Sequence, residues 1–323
     1  MTIRISLYLP LTAAWFAWSM AATAPAAAQS PAERHVYPTG GVHNTKGCTP
    51  PSNCIAPRKP GEPADPLYPA TWSSEWIMYR VFRNADRFPP PYASPPDGLT
   101  PSDYEVSHGA TYYDANYRPR DGDGSGAMME YYRKRCLPIF PMKNDFSCAF
   151  ISLGNKAYFL RYADRPAGTP ACCQFSLENH PPRRDFIKHL PYDAARSAHL
   201  GGSLQAYATG GAGPLFGYAF EKRARRDSYN KAAPAYRHPQ SFYFSGFPGD
   251  PPNAPIVSQN YRNFRMQPPD PRTTWDQVAR TCRPQPQWCC LFDGDCEGGE
   301  SKAATSHQQW NGVQSGAGDK VPH

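Results

Sequence analysis

Beyond one stretch near its N-terminus, this chain has no long hydrophobic run, and it lacks the short signatures of familiar chemistry. No segment after about Ala22 stays apolar for the roughly 20 residues that a membrane-spanning helix needs. The G-x-S-x-G elbow, H-E-x-x-H, the P-loop and G-x-G-x-x-G are all missing. No two cysteines stand as C-x-x-C, which removes the ligand spacing of zinc ribbons and of thioredoxin-like redox sites. Concentrated positive charge is missing too. The formal net charge is +7, but the basic residues are scattered, with small clusters at Arg133-Lys134-Arg135 and from Lys222 to Arg226. A nucleic-acid surface gathers such residues on one face, so these clusters read as solvated strand ends. The absences leave no recognisable catalytic or nucleotide site, no nucleic-acid partner and no membrane span in a mature chain.

What is present first is an address. Arg4 is the only charge before an apolar run from about Leu7 to Ala22, and Ala26-Ala27-Ala28 follow. A charged start, an apolar middle and a small-residue end predict a secretory signal peptide over residues 1–28. Ten cysteines follow it, at 48, 54, 136, 148, 172, 173, 282, 289, 290 and 296. An even number in an exported chain reads as disulfides, and the expected location is secreted or periplasmic. Cys172-Cys173 and Cys289-Cys290 are sequence neighbours, and bonding within a doublet is strained, so each cysteine is expected to reach a different partner. Cys136 and Cys148 lie on neighbouring strand segments, joined by a turn containing Pro and Asn, and are expected to bond to each other. The partners of Cys172, Cys173, Cys282, Cys289 and Cys290 stay open.

Residues 29–68 are rich in Pro, Gly and small polar residues and predict a disordered arm. Residues 293–323 predict a disordered polar tail. Residues 69–292 are left as one β domain. Within it, aromatic and β-branched runs recur between turn residues. They are Trp72 to Arg83, Ala110 to Arg118, Ala127 to Lys134, Phe146 to Ser152, Lys156 to Ala163, Phe186 to Leu190, Leu204 to Ala208, Leu215 to Arg223, Ser241 to Phe247 and Tyr261 to Met266. Leu153-Gly154-Asn155 is turn chemistry, and Thr273 to Thr281 predicts one short helix. The expected fold is mostly β: an antiparallel meander with one or two short helices, stapled by disulfides.

Two residue sets are candidate sites. Trp76, Met78, Tyr113, Met129, Tyr131, Phe159, Phe216, Phe242 and Phe244 sit on expected strands. They either fill a core or line a pocket for an apolar ligand. Asp121, Asp123, Ser125 and Gly126 match the start of a calcium-binding loop, but its twelfth position, which should be Glu, is Tyr132. A hairpin turn is the leading reading there and calcium the alternative; no other cofactor is expected. His180, His189, His199 and His238 are dispersed and make no motif.

Several features in order carry a family resemblance. Tyr112-Tyr113-Asp114 is followed by two strands bearing Cys136 and Cys148, then Gly154 to Tyr158, the doublet Cys172-Cys173, Pro181-Pro182 and Phe186. Phe264, Pro269-Asp270-Pro271, a short helix and Cys282 come last. Over about residues 72–283 this resembles the ependymin-related proteins and their lipoprotein-carrier-like (LolA-like) relatives. The long Pro-rich stretch before Tyr112, and Cys289-Cys290 and Cys296, depart from that pattern. The resemblance implies a strongly curved antiparallel sheet, a half-open barrel, that binds or carries a lipid-like molecule on its concave face. Strand periodicity alone suits a filled sandwich equally well. Three functions follow as expectations: a carrier of a hydrophobic small molecule or lipid, a non-enzymatic extracellular interaction module, and an enzyme whose site has no sequence signature. The first leads.

Overall fold

Most of the aromatic-rich runs become strands, and in the computed structural model of this chain every strand among the described residues joins one sheet. The structure describes residues 58–82, 90–119, 126–138, 144–176, 181–208, 216–226, 232–244, 256–283 and 286–289. The strands are β1 (Thr71–Val81), β2 (Tyr104–Asp114), β3 (Ala127–Arg133), β4 (Cys148–Leu153), β5 (Lys156–Arg161), β6 (Cys172–Ser176), β7 (Tyr192–Asp193), β8 (Leu204–Ala208), β9 (Phe216–Glu221), β10 (Pro239–Phe244), β11 (Ile256–Arg265) and β12 (Gln287–Trp288). A short 3-10 helix, Phe186–His189, separates β6 from β7. Helix α1 (Ala194–His199) follows β7, and α2 (Gln277–Thr281) lies between β11 and β12.

The topology is two meanders joined at their starts and ends. Strands β1 to β6 pair in succession, β7 to β11 do the same, and β11 then pairs with β1. These eleven strands are antiparallel throughout, and β12 adds to the edge, parallel to β6. The sheet curls: Cys173 near one edge and Tyr207 near the other lie in the same buried cluster. The edges β12 and β7 do not pair with each other, so the barrel stays open. The expected fold class, a mostly β curved antiparallel sheet with short helices and disulfide staples, is the one observed.

Each face of the sheet has its own cover. The concave face carries Trp72, Trp76, Met78, Tyr113, Phe159, Phe220 and Tyr261 among its buried residues. On the convex face, Trp275 and Val278 from the α2 region close over Met129, Ala149, Ile151 and Leu160. Leu200, just after α1, packs on Ala208, Ala219 and Tyr243.

Strand alternation explains the cysteine doublet. Neighbouring residues on a strand point to opposite faces. Cys172 faces the convex side and bonds Cys282 at the end of α2. Cys173 faces the concave side and bonds Cys289, next to β12. Cys136 bonds Cys148 with their Cα atoms 5.2 Å apart, as the spacing predicts. Cys48, Cys54, Cys290 and Cys296 lie outside the described residues, as do residues 1–57 and the tail.

Two expectations meet a different structure. Phe186 to Leu190 is not a strand. It follows Pro181-Pro182, turns as a 3-10 helix, and buries Phe186, Ile187 and Leu190 in the concavity instead of pairing in the sheet. The boundary of the arm at residue 68 also moves, because Arg58 to Tyr68 packs against the domain. Tyr68 is 1 % exposed and makes edge contacts with the rings of Trp72, Tyr113, Phe186 and Tyr218. Its backbone N–H donates to the Arg184 carbonyl, and Arg184 Nε donates to the Tyr68 carbonyl, both at 2.8 Å. Arg58 pairs with Asp65, donates to the carbonyls of Leu190 at 2.8 Å and Ile187 at 3.1 Å, and lies over the Tyr207 ring. A Pro-rich composition removes strand periodicity, but one well-placed aromatic ring still anchors the segment.

The staples differ in the chain they close. Cys172–Cys282 spans 110 residues and Cys136–Cys148 spans 12. Cys173–Cys289 closes nearly the same loop as Cys172–Cys282, so loop-closure entropy makes the two long bridges together worth more than the about 3 kcal/mol of Cys136–Cys148. Replacing all four cysteines of the two long bridges by Ser is expected to lower stability more than replacing Cys136 and Cys148, as read by urea denaturation. The reverse order would contradict the loop-closure account.

Candidate functional site on the concave face

Glu130 sits mid-strand in β3, and alternation places it on the concave face together with Met128 and Tyr132. Thr111 is its cross-strand partner on β2, and the Thr111 hydroxyl donates to the carboxylate, 2.8 Å from each oxygen. The Trp76 indole N–H donates to Oε2 at 3.2 Å, and the Gln259 amide reaches the same oxygen at 3.4 Å. Strands β1, β2 and β11 thus each supply one neutral donor.

The Trp76 contact depends on Gly109. The two residues are paired across β1 and β2. A Cβ at position 109 would stand 2.1 Å from the Trp76 ring and 2.0 Å from the Tyr131 carbonyl oxygen. With no side chain there, the indole lies across β2 and presents its N–H to the carboxylate on β3. Glycine inside a strand often marks such a close approach.

Burial dominates the electrostatics of this carboxyl. It pushes the Glu130 pKa from 4.5 up to about 7, against the smaller opposing pull of the Thr111, Gln259 and Trp76 hydrogen bonds. Tyr68, Tyr132 and Tyr261 are the phenols around it, and burial raises all three well above their usual range. Arg80, further along β1 on the same face, is 3.6 Å from Glu105, which also pairs with Arg135.

Glu130 is deep but not sealed. It keeps partial solvent exposure, as do Met128 on the same strand, Phe150 on β4, Tyr218 on β9 and Phe242 on β10. The backbone of a central strand is covered by its ladder partners, so the accessible atoms belong to side chains. These five come from both halves of the sheet and share the concave face. The plug formed by Tyr68, Phe186, Ile187 and Leu190 covers part of that face, and the rest retains an accessible, mostly apolar surface that includes Glu130.

Seven of the nine aromatic and Met residues singled out from sequence meet in the concave cluster: Trp76, Met78, Tyr113, Phe159, Phe216, Phe242 and Phe244. Met129 and Tyr131 are not with them. They point to the convex face, into the cluster containing Trp275 and Val278. A one-residue difference in parity sends a side chain to the other face, and Met128 and Glu130 take the concave positions on β3. Asp121, Asp123 and Ser125 lie outside the described residues, as does His180. His238 is stacked on Phe264 with ring centres 4.1 Å apart, and its Nδ1 is 3.8 Å from Glu221. Among the described residues no group of three or more His, Cys, Asp or Glu side chains is placed to hold a metal ion. None of their helices is long and apolar enough to cross a membrane.

No protein-family model matches this chain, and a comparison with curated proteins gives no match either. The site therefore has to be judged on its own chemistry. An ionisable carboxyl that accepts hydrogen bonds, set in an apolar concavity, can bind a donor group or exchange a proton near neutral pH.

The raised pKa has a consequence for stability. The folded state holds the Glu130 proton more tightly than the unfolded chain does, so this group destabilises the fold once it must ionise. Its contribution is neutral below about pH 4.5, worsens between 4.5 and about 7, and is constant above, reaching up to about 3 kcal/mol. Glu130→Gln is expected to be more stable than the native chain at pH 8 and to match it at pH 4, as read by urea denaturation at both pH values. An equal difference at the two pH values would contradict the assignment.

Proposed function

We propose that this protein binds a hydrophobic, lipid-like molecule on the concave face of its sheet. The observation that carries the proposal is the partial exposure of Met128, Phe150, Tyr218 and Phe242 within an otherwise buried aromatic face. Apolar side chains that stay accessible inside a concavity offer surface for burial, worth about 25 cal/mol per Å² before association costs. Aromatic and Met side chains suit a flexible chain because their contacts are non-directional and adaptable. The resemblance to ependymin-related and LolA-like proteins supports the same reading. The three disulfides among the described residues support an oxidising location outside the cytoplasm, secreted or periplasmic.

The competing reading is an extracellular interaction module with no ligand. The plug favours it, since Tyr68 and Phe186 already occupy part of the concavity. Binding of a neutral fluorescent fatty alcohol to the full, oxidised chain separates the two. Saturable binding is expected, and Phe242→Asp should weaken it by at least about tenfold, the size of losing one well-buried apolar contact. Circular dichroism should be unchanged, because Phe242 is only partly buried. No saturable uptake by the native chain would overturn the proposal and leave the interaction module.

A further inference from the structure

We propose that Glu130 is the polar anchor of this site and that it selects an amphiphile with a cationic, hydrogen-bond-donating head, a long-chain amine, over one with a carboxylate head. This rests on the concave-face reading above and specifies the ligand it would take. Geometry carries it. Glu130 lies on the concave face and keeps partial exposure, and the likewise partly exposed Met128, Phe150 and Phe242 offer apolar surface on that face for an alkyl chain.

Charge complementarity picks the head group. Thr111, Trp76 and Gln259 all donate to Glu130, and all are neutral. They fix the carboxylate in place without cancelling its charge. Arg80, on the same face, lies six residues along β1 from Ser74, the cross-strand neighbour of Thr111, and shares Glu105 with Arg135. The ionisable groups packed around Glu130 from the neighbouring elements are the phenols Tyr68, Tyr132 and Tyr261, which burial keeps protonated. None of these supplies a positive charge. A carboxylate has about four acceptor positions, and the Thr111 proton is shared between its two oxygens, so acceptor capacity remains. An ammonium group fits that remaining capacity and supplies the missing counter-charge as a charge-assisted hydrogen bond. A fatty-acid carboxylate would meet like charge at the same point. The raised proton affinity of Glu130 agrees with a carboxyl that lacks a cation, and it makes the preference depend on pH.

The test uses the full oxidised chain and three dodecyl probes that differ only in head group: dodecylamine, dodecanol and dodecanoic acid. Binding is followed by calorimetry at pH 8 and pH 5, below the micelle concentration of each probe. At pH 8 dodecylamine is expected to bind at least about tenfold more tightly than dodecanol, and dodecanoic acid more weakly than either. At pH 5, where Glu130 is protonated, the amine should lose most of this advantage. Glu130→Gln should bring dodecylamine down to the dodecanol affinity of the same variant. Native-chain binding alone is decisive if the variant misfolds. Dodecanol binding with no preference for the amine at pH 8 would overturn the anchor and leave the concave-face reading standing. No binding of dodecanol or of either other probe would overturn both.

Discussion

A single sheet curled on itself has one face that its own strands cannot cover, and the rest of this structure responds to that constraint. The concave face is lined by large aromatic residues, which would be exposed if nothing closed over them. The chain answers from both sides of the sheet in sequence. Tyr68, just before β1, and Phe186, Ile187 and Leu190, between the two meanders, meet in the concavity. Arg58 ties these two segments together through the carbonyls of Ile187 and Leu190. Disulfides then fix the outer edge. Because Cys172 and Cys173 face opposite sides of β6, one bridge secures the α2 region beneath the sheet and the other secures β12 beside it. Cover on the concave face is incomplete, and that is where the accessible side chains remain.

Within that face the polar cluster around Glu130 costs stability as a fold and gains meaning as a site. A buried carboxylate without a cation is unfavourable, and replacing it by an apolar or neutral residue would be the simpler solution for packing alone. Three strands instead contribute donors to hold it, and β2 carries a glycine so that the Trp76 indole can pass over the backbone. Such an arrangement concentrates several local choices, at Trp76, Gly109, Thr111 and Gln259, on keeping one carboxyl in place. Perturbed ionisable groups in concave apolar surroundings are a common mark of functional sites.

The architecture was largely legible in the sequence, and the central residue of the site was not. Long runs such as Trp72 to Arg83 and Ala127 to Lys134 announced β1 and β3, because aromatic and β-branched residues between turn residues seldom form anything else. Strands β7 and β12 are two residues long, too short to leave a pattern. Phe186 to Leu190 looked like a strand because composition does not say whether a buried run has a neighbour to pair with. The parity of β3 was the costly ambiguity. Its two faces are both buried, the concave one by the core and the convex one by Trp275 and Val278, so the alternation of apolar and polar residues that reveals orientation is lost. From sequence alone Met129 and Tyr131 therefore read as pocket residues, and Glu130 between them does not. A lone acidic residue in the middle of an apolar strand was the available signal.

The ionisation of Glu130 itself is the most direct probe of this arrangement. Carbon-13 labelling of glutamate side chains, with assignment by Glu130→Gln, lets the carboxyl shift be followed from pH 3 to pH 9 in the folded protein. A midpoint near 7 is expected for a carboxyl held in the concavity by neutral donors alone. A midpoint near 4.5 would mean that the group is hydrated or paired with a cation, and would contradict the buried, uncompensated carboxylate on which the proposed site rests.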